Sequence, residues 1–208
     1  MSETWLLERL LILVPLWLCL TVHEWAHAWT AWQLGDDTAM RLGRLTLNPL
    51  AHVDPVGTFL LPLIGVPFGW AKPVPVNPTR FRRQVRMDLG MLTTAAAGPV
   101  SNVVLAALTL AISSTLSQLG IALSPPLYVL MVFVMQLNVI LAVFNLLPIP
   151  PLDGSRIADA LMPEDLRPAW NRFCGLGPAP LVAIIVLPHL LGFSLFDWIL
   201  DAVSRLIP

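Results

Sequence analysis

Leu6–Leu20 is apolar at almost every position, and further long apolar runs follow at about 91–118, 126–147 and 179–200. Crossing the hydrocarbon core of a bilayer as a helix takes about 20 apolar residues, and a backbone in lipid must satisfy its own hydrogen bonds. Runs of this length restrict the chain to a bundle of membrane-spanning helices, the first covering about residues 5–34. The composition agrees: 56% of the 208 residues are hydrophobic and 12% are charged, whereas about a quarter of a soluble domain is charged. A net charge of −1 and the lack of a basic arm leave no electrostatic footprint for nucleic acid. Cys19 lies in an apolar stretch and Cys174 in a later polar loop, so they are expected to be separate free thiols.

The first apolar run has Glu3 and Glu8 before Arg9, and no small-residue cleavage site follows it. It is therefore expected to be a retained helix and not a secretory leader. A fifth apolar stretch, 56–71, is short and broken by Pro62, Gly65, Pro67 and Gly69. That pattern predicts a re-entrant or interfacial segment, with a pair of short crossings as the alternative. Seven basic residues (Arg41, Arg44, Lys72, Arg80, Arg82, Arg83, Arg86) fall between 35 and 88, while the turn at 119–125 is uncharged. The positive-inside tendency then puts the long loop in the cytoplasm, both termini outside, and the loop 148–178, with Arg156, Arg167 and Arg172, back in the cytoplasm.

The expected fold is all-α and polytopic: a single membrane-embedded domain over 1–208, with about four full transmembrane helices and the re-entrant segment. Arg41–Leu47 partly alternates before stopping at Asn48-Pro49, which predicts a short β element in the cytoplasmic loop. Lys72–Pro78 is expected to be extended, since each proline restricts the residue before it.

Inside the first long helix lies His23-Glu24-Trp25-Ala26-His27. Residues four apart share a helical face, so both imidazoles can reach one metal ion. Glu24, beside the first ligand, is placed to take a proton from a water at that ion. Zinc suits two nitrogen ligands and a carboxylate, with a fourth position left open. Such a motif also arises by chance on soluble helices, but two histidines and a glutamate within a membrane span are costly unless they pair or bind something.

A third ligand should lie on the cytoplasmic side, where the charge-derived topology brings the end of the third strong span. Asp153 qualifies, and it equally suits an N-cap before Ser155–Leu161. His52 and Asp54, two apart in the loop, are competing ligands if the segment is extended, and ordinary turn residues if it is not.

Taken together, these residues resemble the site-2 protease family of intramembrane zinc metalloproteases. The resemblance covers most of the chain. It is carried by His23-Glu24-Trp25-Ala26-His27, by Ala97-Gly98-Pro99-Val100-Ser101-Asn102, and by Asn145-Leu146-Leu147-Pro148 running on to Leu152-Asp153-Gly154. Gly43–Pro49 and Gly69–Val76 are similar to the compact prokaryotic branch, and no PDZ or CBS module is recognisable. The resemblance implies Zn2+ held by His23, His27 and Asp153, Glu24 as general base, and Asn145 near the substrate, where it would bind backbone or stabilise an oxyanion. The plainer role for Asn145 is an inter-helix hydrogen bond, and Asn102 is expected to serve packing of that kind. It further implies an edge of the β element that pairs with an unwound substrate.

The expected activity is hydrolysis of a peptide bond in or near the transmembrane helix of a membrane-protein substrate, in the lipid bilayer of a prokaryotic cytoplasmic membrane, with the active site towards the cytoplasm. The rival expectations are a metal transporter and a non-catalytic relative that binds transmembrane helices. Transport would want ligands at several depths, and a silent relative would be expected to have lost a ligand or the glutamate.

Overall fold

The structure is a computed structural model that describes residues 3–60, 63 and 69–190. The chain divides into two compact units, Met1–Gly90 and Met91–Pro208. Regular structure among the described residues is helical.

The first unit is built on α1 (Glu3–Gln33), which runs without a break past Pro15. At 1.5 Å per residue it is about 46 Å long. The short α2 (Thr38–Arg41) packs back against it. Small side chains permit this: Ala28 on α1 and Ala39 on α2 are buried together with Val74, and Leu45 closes over them. A 3-10 turn at Pro49–Ala51 follows, started by Asn48, whose Oδ1 accepts the Leu50 N–H at 3.1 Å.

No strand forms at Arg41–Leu47, so the β element expected there is corrected to the end of α2 followed by turns. The reason is local. Gly43 takes φ 67°, a left-handed turn that ends any extended run, and the Arg44 N–H turns back to the Ala39 carbonyl at 2.8 Å. Seven residues also provide too little edge to persist without a partner strand. The substrate-pairing edge inferred from that element goes with it.

Pro55–Leu60 forms a π-helical turn. It is capped by Asp54, whose Oδ1 accepts the N–H groups of Val56 (3.0 Å) and Gly57 (2.8 Å). The Trp17 indole on α1 donates to the Thr58 carbonyl at 3.0 Å, and the Thr58 hydroxyl to the Trp70 carbonyl at 2.6 Å. Most of the remainder of the expected re-entrant segment, residues 61, 62 and 64–68, lies outside the described residues. Lys72–Asn77 is free of regular structure, as the prolines require. A 3-10 turn at Pro78–Arg80 then leads towards the next helix.

The second unit contains most of α3 (Met87–Gln118), then α4 (Pro125–Asn145), α5 (Asp153–Leu161), α6 (Arg167–Cys174) and α7 (Ala179–Leu190). Of the described helices, α3 and α4 are long and apolar enough to cross a membrane. A third crossing is present if α6 and α7, bent by 71°, are taken as one broken span. Residues 191–200 of the last expected span lie outside the described residues. Large apolar side chains such as Val100, Val104, Leu108, Val129 and Leu130 face outward on α3 and α4, a surface suited to lipid and unsuited to water. Between these two helices Asn102 donates to the Asn138 Oδ1 at 2.8 Å, and both residues are fully buried. Asn102 therefore has the packing role expected of it. Neither Cys19 nor Cys174 forms a disulfide among the described residues.

Candidate metal and catalytic centre

The helical repeat places His23 and His27 one above the other on α1, one turn apart. Their Nε2 atoms are 3.1 Å apart and the rings meet edge to face at 82°. Both are buried, at 3% and 7% exposure. Two nitrogens bound to one tetrahedral zinc at 2.0–2.1 Å would be separated by about 3.3 Å. The pair thus fits a shared ion closely, because both rings turn the same nitrogen to one point.

Glu24 is also buried, and its Oε2 accepts the backbone N–H of Val74 at 2.9 Å. Burying a carboxylate without a partner costs on the order of several kcal/mol. A hydrogen bond to a charged group returns about 1.5–3 kcal/mol, so this one amide offsets much of the cost. Val74 is held from its other side by packing on Ala28 and Ala39.

Around this contact the loop is tied down by buried polar groups. Arg44 donates through Nη2 to the Lys72 carbonyl, and the Lys72 N–H donates to the His52 carbonyl at 2.9 Å. Burial pulls the Arg44 guanidinium below its ordinary pKa, and the Glu24 carboxylate acts in the opposite sense. Asp36, with no exposed surface, accepts the Asn77 N–H (2.6 Å), the Thr38 N–H (3.0 Å) and the Thr38 hydroxyl (2.5 Å).

His52 and Asp54 both make contacts within the loop. The His52 Nε2 lies 2.9 Å from the Thr46 carbonyl, its Nδ1 is buried with no hydrogen-bond partner among the described residues, and Asp54 caps the π-helical turn through Oδ1.

In the second unit Asp153 is the first residue of α5, and the N-cap position belongs to Leu152. The N-cap alternative for Asp153 therefore does not hold. Its neighbour explains the spacing: a Cβ on Gly154 would lie 2.3 Å from the carbonyl oxygens of Leu146 and Leu147. Only glycine lets the first turn of α5 lie this close to the end of α4. Asn145 is the last residue of α4, and its Nδ2 donates to the Leu141 carbonyl at 3.0 Å. That bond is within its own helix and replaces the inter-helix bond weighed for it. A primary amide has a second N–H and an oxygen, so Asn145 keeps capacity for a substrate group.

Residues 120–173 match the model of peptidase family M50. YwhC of Bacillus subtilis, named as a zinc metalloprotease, is 41% identical over 181 residues, which span 85% of this chain and 80% of that protein. Rip2 of Mycobacterium tuberculosis, also named as a zinc metalloprotease, is 35% identical over 195 residues, spanning 88% and 70% of the two chains. The chain belongs to peptidase family M50.

No solved structure gave a significant match. The matched segment of the M50 family contains both Asn145 and Asp153, whereas His23, Glu24 and His27 lie outside it. Arg44, Val74 and Asp36 were absent from the candidate site residues in the sequence. Arg44 read there as one more topology-setting charge, and a backbone N–H such as that of Val74 carries no signature of its own. The prolines at 73 and 75 were the available hint, since they leave Val74 as the donor between them.

Proposed function

We propose that this M50 peptidase is an intramembrane zinc metalloprotease that hydrolyses a peptide bond in or near a transmembrane helix of its substrate. The observation that carries this is the 3.1 Å approach of the His23 and His27 Nε2 atoms on an apolar helix, with Glu24 buried beside them. Bound there, zinc supplies electrophilic activation of the scissile carbonyl and of water. Asp153 completes the ligand set with His23 and His27. Its support is the matching family segment and its place at the first position of α5, where it is not the N-cap. Glu24 takes a proton from water and returns it to the leaving amine. Asn145 holds the substrate carbonyl or the developing oxyanion through its second amide hydrogen.

In this reading four helices cross the membrane, 56–71 is re-entrant, and the basic loop holds the active site towards the cytoplasm of a prokaryotic cell. A membrane-protein helix, delivered from the surrounding bilayer, is the partner.

The test is cleavage of a single-helix transmembrane reporter by purified protein in detergent, with wild type beside Glu24→Gln and zinc measured in both. Equal zinc with cleavage by wild type alone supports the proposal. Zinc in both with equal cleavage would remove Glu24 as the base. Failure of a folded wild type to hold zinc would remove the metal site, and His23→Ala should reproduce that loss.

A further inference from the structure

Lys72-Pro73-Val74-Pro75-Val76 has three backbone N–H groups, because Pro73 and Pro75 have none. Two of the three are committed within the first unit: Lys72 to the His52 carbonyl and Val74 to the Glu24 Oε2, each at 2.9 Å. The carbonyl of Lys72 is taken by the Arg44 Nη2. Arg44 is 7% exposed, and its Nε has no hydrogen-bond partner among the described residues. Burying a guanidinium with one donor unused is expensive. The carbonyl it holds lies two residues before the Val74 amide that meets Glu24, so the guanidinium is placed to fix that amide.

We propose that Arg44 is a positioning residue for Glu24. By fixing the Lys72 carbonyl it sets the extended segment where the Val74 N–H meets Oε2 and holds the carboxylate in one orientation. The Val74 side chain, packed on Ala28 and Ala39, stops the segment from sliding. A carboxylate on a flexible stem otherwise samples several rotamers, and a displacement of about 1 Å at a reacting group can cost about 100-fold in rate. The proposal rests on Glu24 acting as the general base. It adds that the base is oriented by an amide fifty residues away, and that Arg44 holds that amide in place.

The experiment uses the full-length protein in detergent with three readouts: bound zinc, amide exchange over Lys72–Val76, and cleavage of a single-helix transmembrane reporter. Arg44→Gln is expected to keep about one zinc, to speed exchange at Val74, and to lower kcat about 10- to 100-fold with KM unchanged. Arg44→Lys should recover part of the loss. Val74→Pro deletes the N–H that meets Glu24 and should lower kcat similarly with zinc retained, whereas Val76→Pro should cleave as wild type. Wild-type kcat in both Arg44→Gln and Val74→Pro would overturn the proposal. So would losses that merely track loss of zinc and of thermal stability, since those mark a structural staple. Exchange needs no cleavage. A wild type that fails to cut the reporter would count against the general-base reading, while unchanged Val74 exchange in Arg44→Gln would overturn the positioning role by itself.

Discussion

The carboxylate of Glu24 and the amide of Val74 are joined by a 2.9 Å hydrogen bond across fifty residues of sequence. Glu24 stands on a long apolar helix and Val74 on an extended, proline-flanked segment, so one helix turn and one loop share a single buried contact. The loop is thereby tied to the helix turn that carries the histidine pair. Its other anchors, Asp36 and Arg44, make it rigid.

Asp36 is the strongest of these anchors. Replacing it with alanine strips acceptors from the Asn77 and Thr38 N–H groups at once. Asp36→Ala is expected to cost about 3 kcal/mol, because each buried unpaired donor costs about 1–3 kcal/mol. Thermal unfolding in detergent would check it; an unchanged Tm would mean that water replaces the carboxylate.

Gly154→Ala should be more harmful than a methyl group suggests. The added Cβ would sit 2.3 Å from the Leu146 and Leu147 carbonyls, which are backbone and cannot swing aside. Overpacking of this kind costs about 1–3 kcal/mol, and relief must come from displacing the first turn of α5, where Asp153 lies. Zinc content per protein is expected to fall in this variant even where the protein still purifies as a folded species.

Asn102 and Asn138 should behave as a coupled pair. Either single leucine substitution leaves a buried amide facing an apolar partner, whereas the double substitution removes both. The double variant should therefore be destabilised by less than the sum of the singles, with a coupling of about 0.6–1.7 kcal/mol. Additive losses in a double-mutant cycle would count against the bond.

Asp37 gives the loop a pH dependence. Its hydrogen bond from Arg41 (2.7 Å), with the charges of Arg41 and Arg80, holds its carboxyl below the ordinary range in spite of some desolvation. A lowered folded-state pKa contributes stability above the unfolded value, about 3.9, and that contribution is lost as the pH falls through the folded value. Asp37→Asn should unfold at a lower temperature than wild type near neutral pH. The two melting curves should converge as the pH drops below about 4. A gap that persists in acid would assign the effect to something other than the charge.

Several elements were legible before any coordinates. Each of the first three long apolar runs appears as a helix within a few residues of its expected bounds, because a run of about 20 residues is too long for an ordinary strand. The β element was misjudged because seven partly alternating residues satisfy a strand pattern, while Gly43 in a left-handed conformation decided otherwise. Asp153 matched a helix cap equally well in sequence, since one residue of register separates a cap from a first helical position.

What the sequence determined by itself was local and periodic. Apolar run length dictated helices, and a spacing of four put His23 and His27 on one face of whatever helix contained them, a consequence of 3.6 residues per turn. What only the tertiary structure decided was which distant backbone groups those side chains meet. The amide that orients Glu24, the carbonyl that Arg44 holds and the donors that Asp36 satisfies are main-chain groups common to nearly every residue, so composition and spacing leave no trace of them. Folding chose among them by burial, because in an apolar interior each polar group must find a partner, and only the packed chain specifies which partner is within reach.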